Sequence, residues 1–111
     1  MGRFVKGDIV RILFRFSDLK NAKPRPALVL ADLAGQDSIL CQISKKRPTL
    51  DHGIELTHNS FLGSPLPVIP SYVRPVKLFT ADNSLINGKV TAISNEVLKQ
   101  VYKMLNSLFS I

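Results

Sequence analysis

The residues of this sequence that could do chemistry are arginines and a serine, because the more familiar catalytic sets are missing. The chain has one cysteine, Cys41, and two histidines, His52 and His58, so it cannot build a Cys/His zinc cluster. It has no phosphate-binding glycine motif. Its carboxylates are scattered singly, which argues against a metal-nuclease site, and both histidines stand in polar, loop-like surroundings typical of surface residues.

RNA can be cleaved without a metal ion because it carries its own nucleophile, the 2′-hydroxyl. An enzyme must deprotonate that hydroxyl, stabilise charge on the phosphorus oxygens and help the 5′-oxygen to leave. Arginine suits the second task, because its guanidinium stays charged and can bind two phosphate oxygens. Arg25 lies where a loop enters a predicted buried strand, and Ser44 lies at the end of the next strand. This pairing alone does not specify a nuclease, since many arginines begin strands.

The overall charge favours a polyanionic partner. Fifteen Lys and Arg residues against eight Asp and Glu residues give a net charge of +7 and a pI near 9.9, and nucleic acid is the commonest polyanion. Much of this charge falls in two predicted loops: Lys20, Lys23 and Arg25 in one, and Lys45, Lys46 and Arg47 in the other. Basic loops can follow a phosphate backbone, but charge alone leaves a solvated surface or a small ribosome-associated protein open.

Short strands broken by Pro, Gly, Asn and Asp dominate the first two thirds of the chain. We predict strands at 8–14, 26–31, 38–43, 53–57, 72–80 and 88–93. Residues 26–31 are apolar at consecutive positions, which is typical of a strand buried on both faces, and they form the clearest hairpin with 38–43. The three prolines in 61–70 favour a loop or an edge strand.

The end of the chain is predicted to be a helix. Ser94 can cap it, and Glu96 suits the positive end of its dipole. Apolar residues then recur at helical spacing: Val97, Leu98, Val101, Leu105, Leu108 and Phe109. We expect this stripe to cover the sheet. The predicted fold is therefore mainly β (α+β), a partly open barrel of short antiparallel strands with a C-terminal α-helix, with 1–111 as a single domain.

The cysteine content and the N-terminus suggest a compartment. Cys41 is the only cysteine, so no disulfide can form within the chain, and we interpret it as a small buried hydrophobe on a strand. A lone cysteine suits a reducing cytosol. Lys6 and Asp8 interrupt the N-terminal segment where the apolar part of a signal peptide would lie, and no apolar run approaches the span of a bilayer. We therefore expect a cytoplasmic protein without a membrane segment.

Five short segments occur in an order that is informative as a set. They are G-D-I-V at 7–10, F-R-F-S-D at 14–18, K-P-R-P-A-L-V-L at 23–30, C-Q-I-S at 41–44 and S-Y-V-R-P at 71–75. Together with the closing helix, they resemble the MazF/PemK toxins of type II toxin–antitoxin systems. The likeness covers nearly the whole chain, and the combination is specific although each piece is not.

This resemblance implies a fold, an activity and partners. The fold is an SH3-like, CcdB-like barrel that forms a homodimer, with single-stranded RNA in a groove across the dimer. The activity is sequence-specific, metal-independent cleavage of RNA, often mRNA, by an endoribonuclease without a cofactor. The partner that neutralises it is an acidic antitoxin.

The resemblance also assigns residues by position. Arg25 matches the arginine of the family's K-x-R-P segment, which is implicated in acid–base or phosphate chemistry. Ser44 matches the hydroxyl residue that contacts the scissile phosphate, and Arg74 matches a second arginine near the active site of the PemK branch. The predicted RNA-binding residues are Arg15, Lys20, Lys23, Lys45, Lys46 and Arg47.

Three positions depart from the family pattern. Arg15 stands where proline is usual, which adds charge and alters the stiffness of the first loop. Ser44 replaces threonine, so the hydroxyl is kept and a methyl group that restrains its rotamer is lost. Val76 stands where the PemK branch has an acidic residue. If that acid is the general base, activity here is reduced or another group supplies the base.

Two alternatives of other classes remain open at this stage. One is a non-cleaving RNA-binding protein or an inactivated toxin, with which the departures from the family pattern at Ser44 and Val76 are consistent. The other is a gyrase inhibitor like CcdB, whose members end in a Trp-Gly-Ile-like tail. This chain has no tryptophan, ends in Phe109-Ser110-Ile111 and keeps K-x-R-P, which favours RNA cleavage.

Overall fold

The computed structural model describes residues 4–13, 24–48 and 52–110. These residues form six strands and one α-helix: β1 (Asp8–Leu13), β2 (Pro24–Asp32), β3 (Asp37–Ser44), β4 (Ile54–Leu56), β5 (Ser71–Asp82), β6 (Ile86–Ala92) and α1 (Asn95–Phe109). The strands pair antiparallel in the order β4-β5-β3-β2-β1-β6. The sheet is not closed in the described part of the chain, since β4 and β6 are its two edges, and this agrees with the predicted partly open barrel.

Strand β2 is buried on both faces, as its run of consecutive apolar residues predicts. Leu28 and Leu30 belong to the larger apolar cluster, under α1. Ala27 and Val29 point the other way, into a second cluster with Val10 and other residues. The predicted hairpin with β3 is also present, with Leu28 opposite Cys41. The sheet therefore has a helix face and an opposite face, and neighbouring residues of one strand belong to different faces.

Helix α1 begins where the sequence predicts and covers the helix face. The Ser94 hydroxyl accepts a hydrogen bond from the Val97 amide, which satisfies one of the free N–H groups of the first turn. Val97, Leu98 and Val101 are buried in the larger cluster. No helix among the described residues is long and apolar enough to span a membrane.

The apolar stripe of the helix does not all reach the core, contrary to the prediction. Leu105 packs against the cluster, but the side chains of Leu108 and Phe109 are 42% and 69% exposed. Neither side chain of this last turn packs against the buried cluster. Helical periodicity gives the direction of a side chain but not the length of the surface it packs on.

Strand β5 carries a bulge that the sequence pattern does not reveal. Cys41 lies opposite Leu78, but the next residue of β3, Gln42, lies opposite Arg74. One step along β3 thus corresponds to four along β5, and residues 75–77 have no partner on β3. Pro75 is fully buried in this bulge, where its missing N–H breaks no ladder hydrogen bond.

Candidate active site

The strand register brings four of the sheet's polar side chains into one line. Ser44, the last residue of β3, lies opposite Tyr72 of β5, and Tyr72 lies opposite Glu55 of β4. Strand β2 pairs with the other side of β3, where Ala27 lies opposite Gln42. Because the two strands are antiparallel, two residues back along β2 correspond to two residues forward along β3, so Arg25 lies opposite Ser44. We call the line Arg25, Ser44, Tyr72 and Glu55 the polar row.

Burial shows which face of the sheet carries the polar row. Ile54 and Leu56, on either side of Glu55, and Val73, next to Tyr72, are buried in the cluster under α1. Because side chains alternate along a strand, Glu55 and Tyr72 point to the opposite face. Arg25 lies opposite Ile12 of β1, which belongs to the second cluster. The whole row therefore lies on the face away from the helix.

Arg74 and Gln42 form a second polar pair beside the row. They lie opposite each other, two residues along their strands from Tyr72 and Ser44, and so on the same face. The Nε atom of Arg74 is buried, and it has no hydrogen-bond partner among the described residues. A buried donor without a partner is costly for folding. The terminal N–H groups of the same guanidinium are the ones that can donate to phosphate or carboxylate oxygens.

Ser44 connects the row to a basic loop. Its Oγ accepts a hydrogen bond from the Lys46 amide at 3.0 Å, which leaves the hydroxyl proton available to a ligand oxygen. Lys45, Lys46 and Arg47 follow directly and are all exposed. The predicted hydroxyl and the predicted basic loop therefore lie at the same end of β3.

Arg25 is the second residue of β2 rather than part of the preceding loop, and its side chain is exposed. The structure thus brings Arg25, Ser44 and Arg74 to one face of the sheet, beside the basic loop. The other predicted RNA-binding residues, Arg15, Lys20 and Lys23, lie outside the described residues.

Sequence reasoning missed Gln42, Tyr72 and Glu55. The alternation of residues 53–57 indicates that Glu55 is exposed while its neighbours are buried, and the structure has this pattern. What alternation does not reveal is which strands are neighbours. Only the pairing of β4 with β5 and of β5 with β3 brings Glu55 into the row with Ser44.

Val76 lies in the bulge of β5, and its side chain is 41% exposed. An aliphatic side chain at this position cannot accept a proton. His52 does not replace it, because it borders a shallow groove of about 390 Å³ with Gln100, Lys103 and other residues of α1. That groove lies on the helix side. Among residues 4–13, 24–48 and 52–110, no three His, Cys, Asp or Glu side chains are grouped so that they could hold a metal ion.

Three titratable groups with displaced pKa values lie away from the polar row. Burial raises the pKa of the Cys41 thiol to about 12, which makes it unreactive. Burial also raises the pKa of Tyr102, whose hydroxyl donates to the Leu30 carbonyl at 2.7 Å. The Ser84 amide, donating to Asp82, lowers the pKa of that exposed carboxyl. None of the three contributes to the row.

Comparison with known proteins relates this geometry to one family. The family model described as PemK-like, MazF-like toxin of type II toxin–antitoxin system matches residues 5–109. No curated protein sequence gives a significant match to the chain.

Solved structures share the fold at low sequence identity. A MazE–MazF complex from Deinococcus radiodurans has 17% identity and a TM-score of 0.76, with 96% of each chain covered. An endoribonuclease from a mycobacterial species has 13% identity and a TM-score of 0.73, covering 100% of this chain and 95% of that one. A mycobacterial endoribonuclease in complex with its cognate antitoxin has 12% identity and a TM-score of 0.72, covering 98% and 97%.

Proposed function

The chain belongs to the PemK-like, MazF-like toxin family of type II toxin–antitoxin systems, and on that premise we propose that it is an endoribonuclease that cleaves single-stranded RNA without a metal ion. The observation that carries the proposal is the common face of Ser44, Arg74 and Arg25. Two guanidinium groups and a hydroxyl on one face are the groups that a pentavalent phosphorus transition state requires.

Each residue has a task in the proposed reaction. The guanidinium of Arg25 and the hydroxyl of Ser44 hydrogen-bond the non-bridging oxygens of the scissile phosphate, where negative charge increases in the transition state. Arg74, whose side chain is half-buried on the same face, donates the terminal N–H groups of its guanidinium to the same phosphate or to its neighbour. The 2′-oxygen attacks phosphorus and the bond to the 5′-oxygen breaks, which leaves a 2′,3′-cyclic phosphate and a 5′-hydroxyl end.

The exposed cations beside this face serve the rest of the substrate. Lys45, Lys46 and Arg47 continue from Ser44 and bind the phosphates that flank the cleaved bond. These contacts are electrostatic, so we expect RNA affinity to fall steeply as salt is raised. Sequence preference then comes from loops that accept unstacked bases, as is general for single-stranded RNA.

The proposed assembly is a homodimer in the cytoplasm, neutralised by an acidic antitoxin. A structure of a mycobacterial endoribonuclease contains its cognate antitoxin, and a net charge of +7 on this chain complements an acidic partner. An antitoxin that covers the row would present carboxylates to Arg25 and Arg74 in place of phosphates.

A non-cleaving RNA-binding protein of the same fold is the second candidate. The observation in its favour is Val76, which removes a carboxylate that the PemK branch has. This candidate predicts binding of RNA by the same cations without scission.

The test is incubation of the purified protein with a long single-stranded RNA in EDTA, beside the same RNA annealed to its complement. Discrete fragments from the single strand, ending in 2′,3′-cyclic phosphate, would support the proposed activity. Intact RNA together with measurable binding would overturn it in favour of the second candidate.

A further inference from the structure

The proposed reaction lacks a group that removes the proton from the 2′-hydroxyl, and the polar row contains a carboxylate that can do so. We propose that Glu55 is the general base of this protein. The inference rests on the proposed function, because a base for the 2′-hydroxyl has meaning only if the chain cleaves RNA.

The row fixes Glu55 relative to the phosphate-binding residues. Tyr72 lies directly between Glu55 and Ser44, so Glu55 and Ser44 are two strand spacings apart, about 10 Å between Cα atoms. The Tyr72 side chain is only 8% exposed and forms the floor between them. A nucleotide lying over Tyr72 has the hydroxyl of Ser44 on one side and the carboxylate of Glu55 on the other.

The strand holds Glu55 in place while leaving its carboxylate accessible. Ile54 and Leu56 are 8% and 0% exposed, so β4 is anchored on both sides of Glu55. Glu55 itself is exposed. Its facing neighbours on β5 are Tyr72, directly opposite, and Arg74, diagonally about 7 Å away.

The other carboxylates in the described part of the chain are positioned elsewhere. Asp8 forms a salt bridge with Lys89 at 3.2 Å. Asp37 lies opposite Asp82 at the far end of β3 and β5, and Asp32 lies opposite Ser38 at that same end. Glu96 is in the first turn of α1. Among residues 4–13, 24–48 and 52–110, Glu55 alone has a carboxylate in the row.

In the proposed step, Glu55 accepts a proton from the 2′-hydroxyl, and water supplies the proton that the leaving 5′-oxygen takes. An Oε atom of Glu55 takes the proton of the 2′-hydroxyl while the 2′-oxygen forms a bond to phosphorus. The bond between phosphorus and the 5′-oxygen breaks, and the leaving oxygen takes a proton from water. Glu55 then returns its proton to solvent, so the enzyme is unchanged and no oxidant or reductant is involved.

The experiment compares wild type, Glu55→Gln and the control Glu96→Gln, all in EDTA. Glu96 is an exposed carboxylate on the helix face, so its replacement removes the same charge away from the row. Three quantities are measured for each protein: the single-turnover cleavage rate against pH, the Kd for a 2′-O-methyl RNA that cannot be cut, and the melting temperature.

The inference predicts that Glu55→Gln slows cleavage about 100- to 10,000-fold, the usual contribution of a general base. It also predicts that Glu55→Gln binds the uncleavable RNA as tightly as wild type or more tightly, because a negative charge near phosphate has been removed. The fall in rate on the acidic side of the wild-type profile should be absent from the residual activity of Glu55→Gln. Glu96→Gln should match wild type in rate.

Three results would overturn the inference. Wild-type cleavage with an equal rate for Glu55→Gln would remove Glu55 from the chemistry and leave the proposed nuclease function standing. A slower Glu55→Gln variant that keeps the wild-type acidic limb, or that loses RNA affinity in parallel, would make Glu55 a structural residue. If wild type binds RNA without cleaving it, the proposed function fails, and the role of Glu55 fails with it.

Discussion

Ser44 and Tyr72 lie directly opposite each other on β3 and β5. This pair joins the end of β3, with its basic loop, to the strand that carries Arg74 and contacts β4. Without this register, the hydroxyl, the second arginine and the carboxylate of Glu55 would lie on unconnected parts of the sheet. The candidate site is therefore a property of strand pairing.

Replacement of Arg74 with Met should weaken RNA binding about 10- to 100-fold, because a hydrogen bond to a charged group contributes about 1.5–3 kcal/mol. It should not lower the melting temperature, because the Nε atom has no partner among the described residues to lose. The measurement is the Kd for a 2′-O-methyl RNA. Arg11→Met is the matched control, since Arg11 is exposed on β1 opposite Pro26 and on the helix face. Equal losses in both variants would indicate only a general effect of charge.

Ser44→Ala and Ser44→Thr should separate the hydroxyl from the rest of the side chain. The alanine variant should cleave at least tenfold more slowly, because the donor to the phosphate is gone. The threonine variant should cleave as fast as wild type or faster, since it keeps the hydroxyl, restricts its rotamer and suits a strand. Single-turnover rates at saturating protein test both. Full activity in Ser44→Ala would contradict a role for the hydroxyl.

The Cys41 thiol should be inert in the native protein. With a pKa of about 12, it carries almost no thiolate at pH 8, so a thiol reagent should label the folded protein far more slowly than the unfolded chain. Fast labelling without denaturant would contradict the buried position.

The raised pKa of Cys41 also makes the stability of the fold depend on pH. The unfolded thiol has a pKa of 9.0, and burial raises it in the native state. The unfolded state therefore loses its proton first, and the free energy of unfolding should fall as pH rises from 9 towards 12. Cys41→Ala has no thiol to titrate. Its free energy of unfolding should therefore fall less steeply over that pH range than the free energy of unfolding of wild type. Parallel declines would mean that Cys41 does not titrate differently in the two states.

Leu98→Ala should destabilise the fold by about 2–4 kcal/mol, because it removes buried methyl groups between α1 and the sheet. Leu62→Ala makes the same chemical change at a side chain that is 71% exposed, and it should cost less than about 1 kcal/mol. Urea unfolding measures both. Equal costs would contradict the packing of α1 on the sheet.

Much of the fold follows from local patterns in the sequence. The consecutive apolar residues of β2 predict a strand buried on both faces, and the two clusters on either side of the sheet confirm it. The Ser94 cap predicts the start of α1 correctly. Strand bounds differ by one or two residues: Pro24 and Arg25 belong to β2, and β6 is Ile86–Ala92 rather than 88–93.

The candidate site is less predictable, for a physical reason. Alternation along a strand determines which face a residue occupies, but a neighbouring strand can pair in any register that keeps its apolar side chains inside. The bulge at Pro75 changes the partner on β5 from Leu78 to Arg74 within one residue of β3, and no local pattern encodes such a change. Glu55 is similarly visible as an exposed residue but not as a neighbour of Tyr72.

The most direct test of metal-independent cleavage by the polar row compares Arg25→Ala with Arg11→Ala on a long single-stranded RNA in EDTA. Both variants lose an exposed arginine from neighbouring strands, but Arg25 lies in the polar row and Arg11 on the helix face. We expect Arg25→Ala to cleave about 100- to 1,000-fold more slowly, the usual cost of one transition-state donor, and Arg11→Ala to stay near wild type. Equal rates for the two variants, or intact RNA with the wild-type protein, would contradict it.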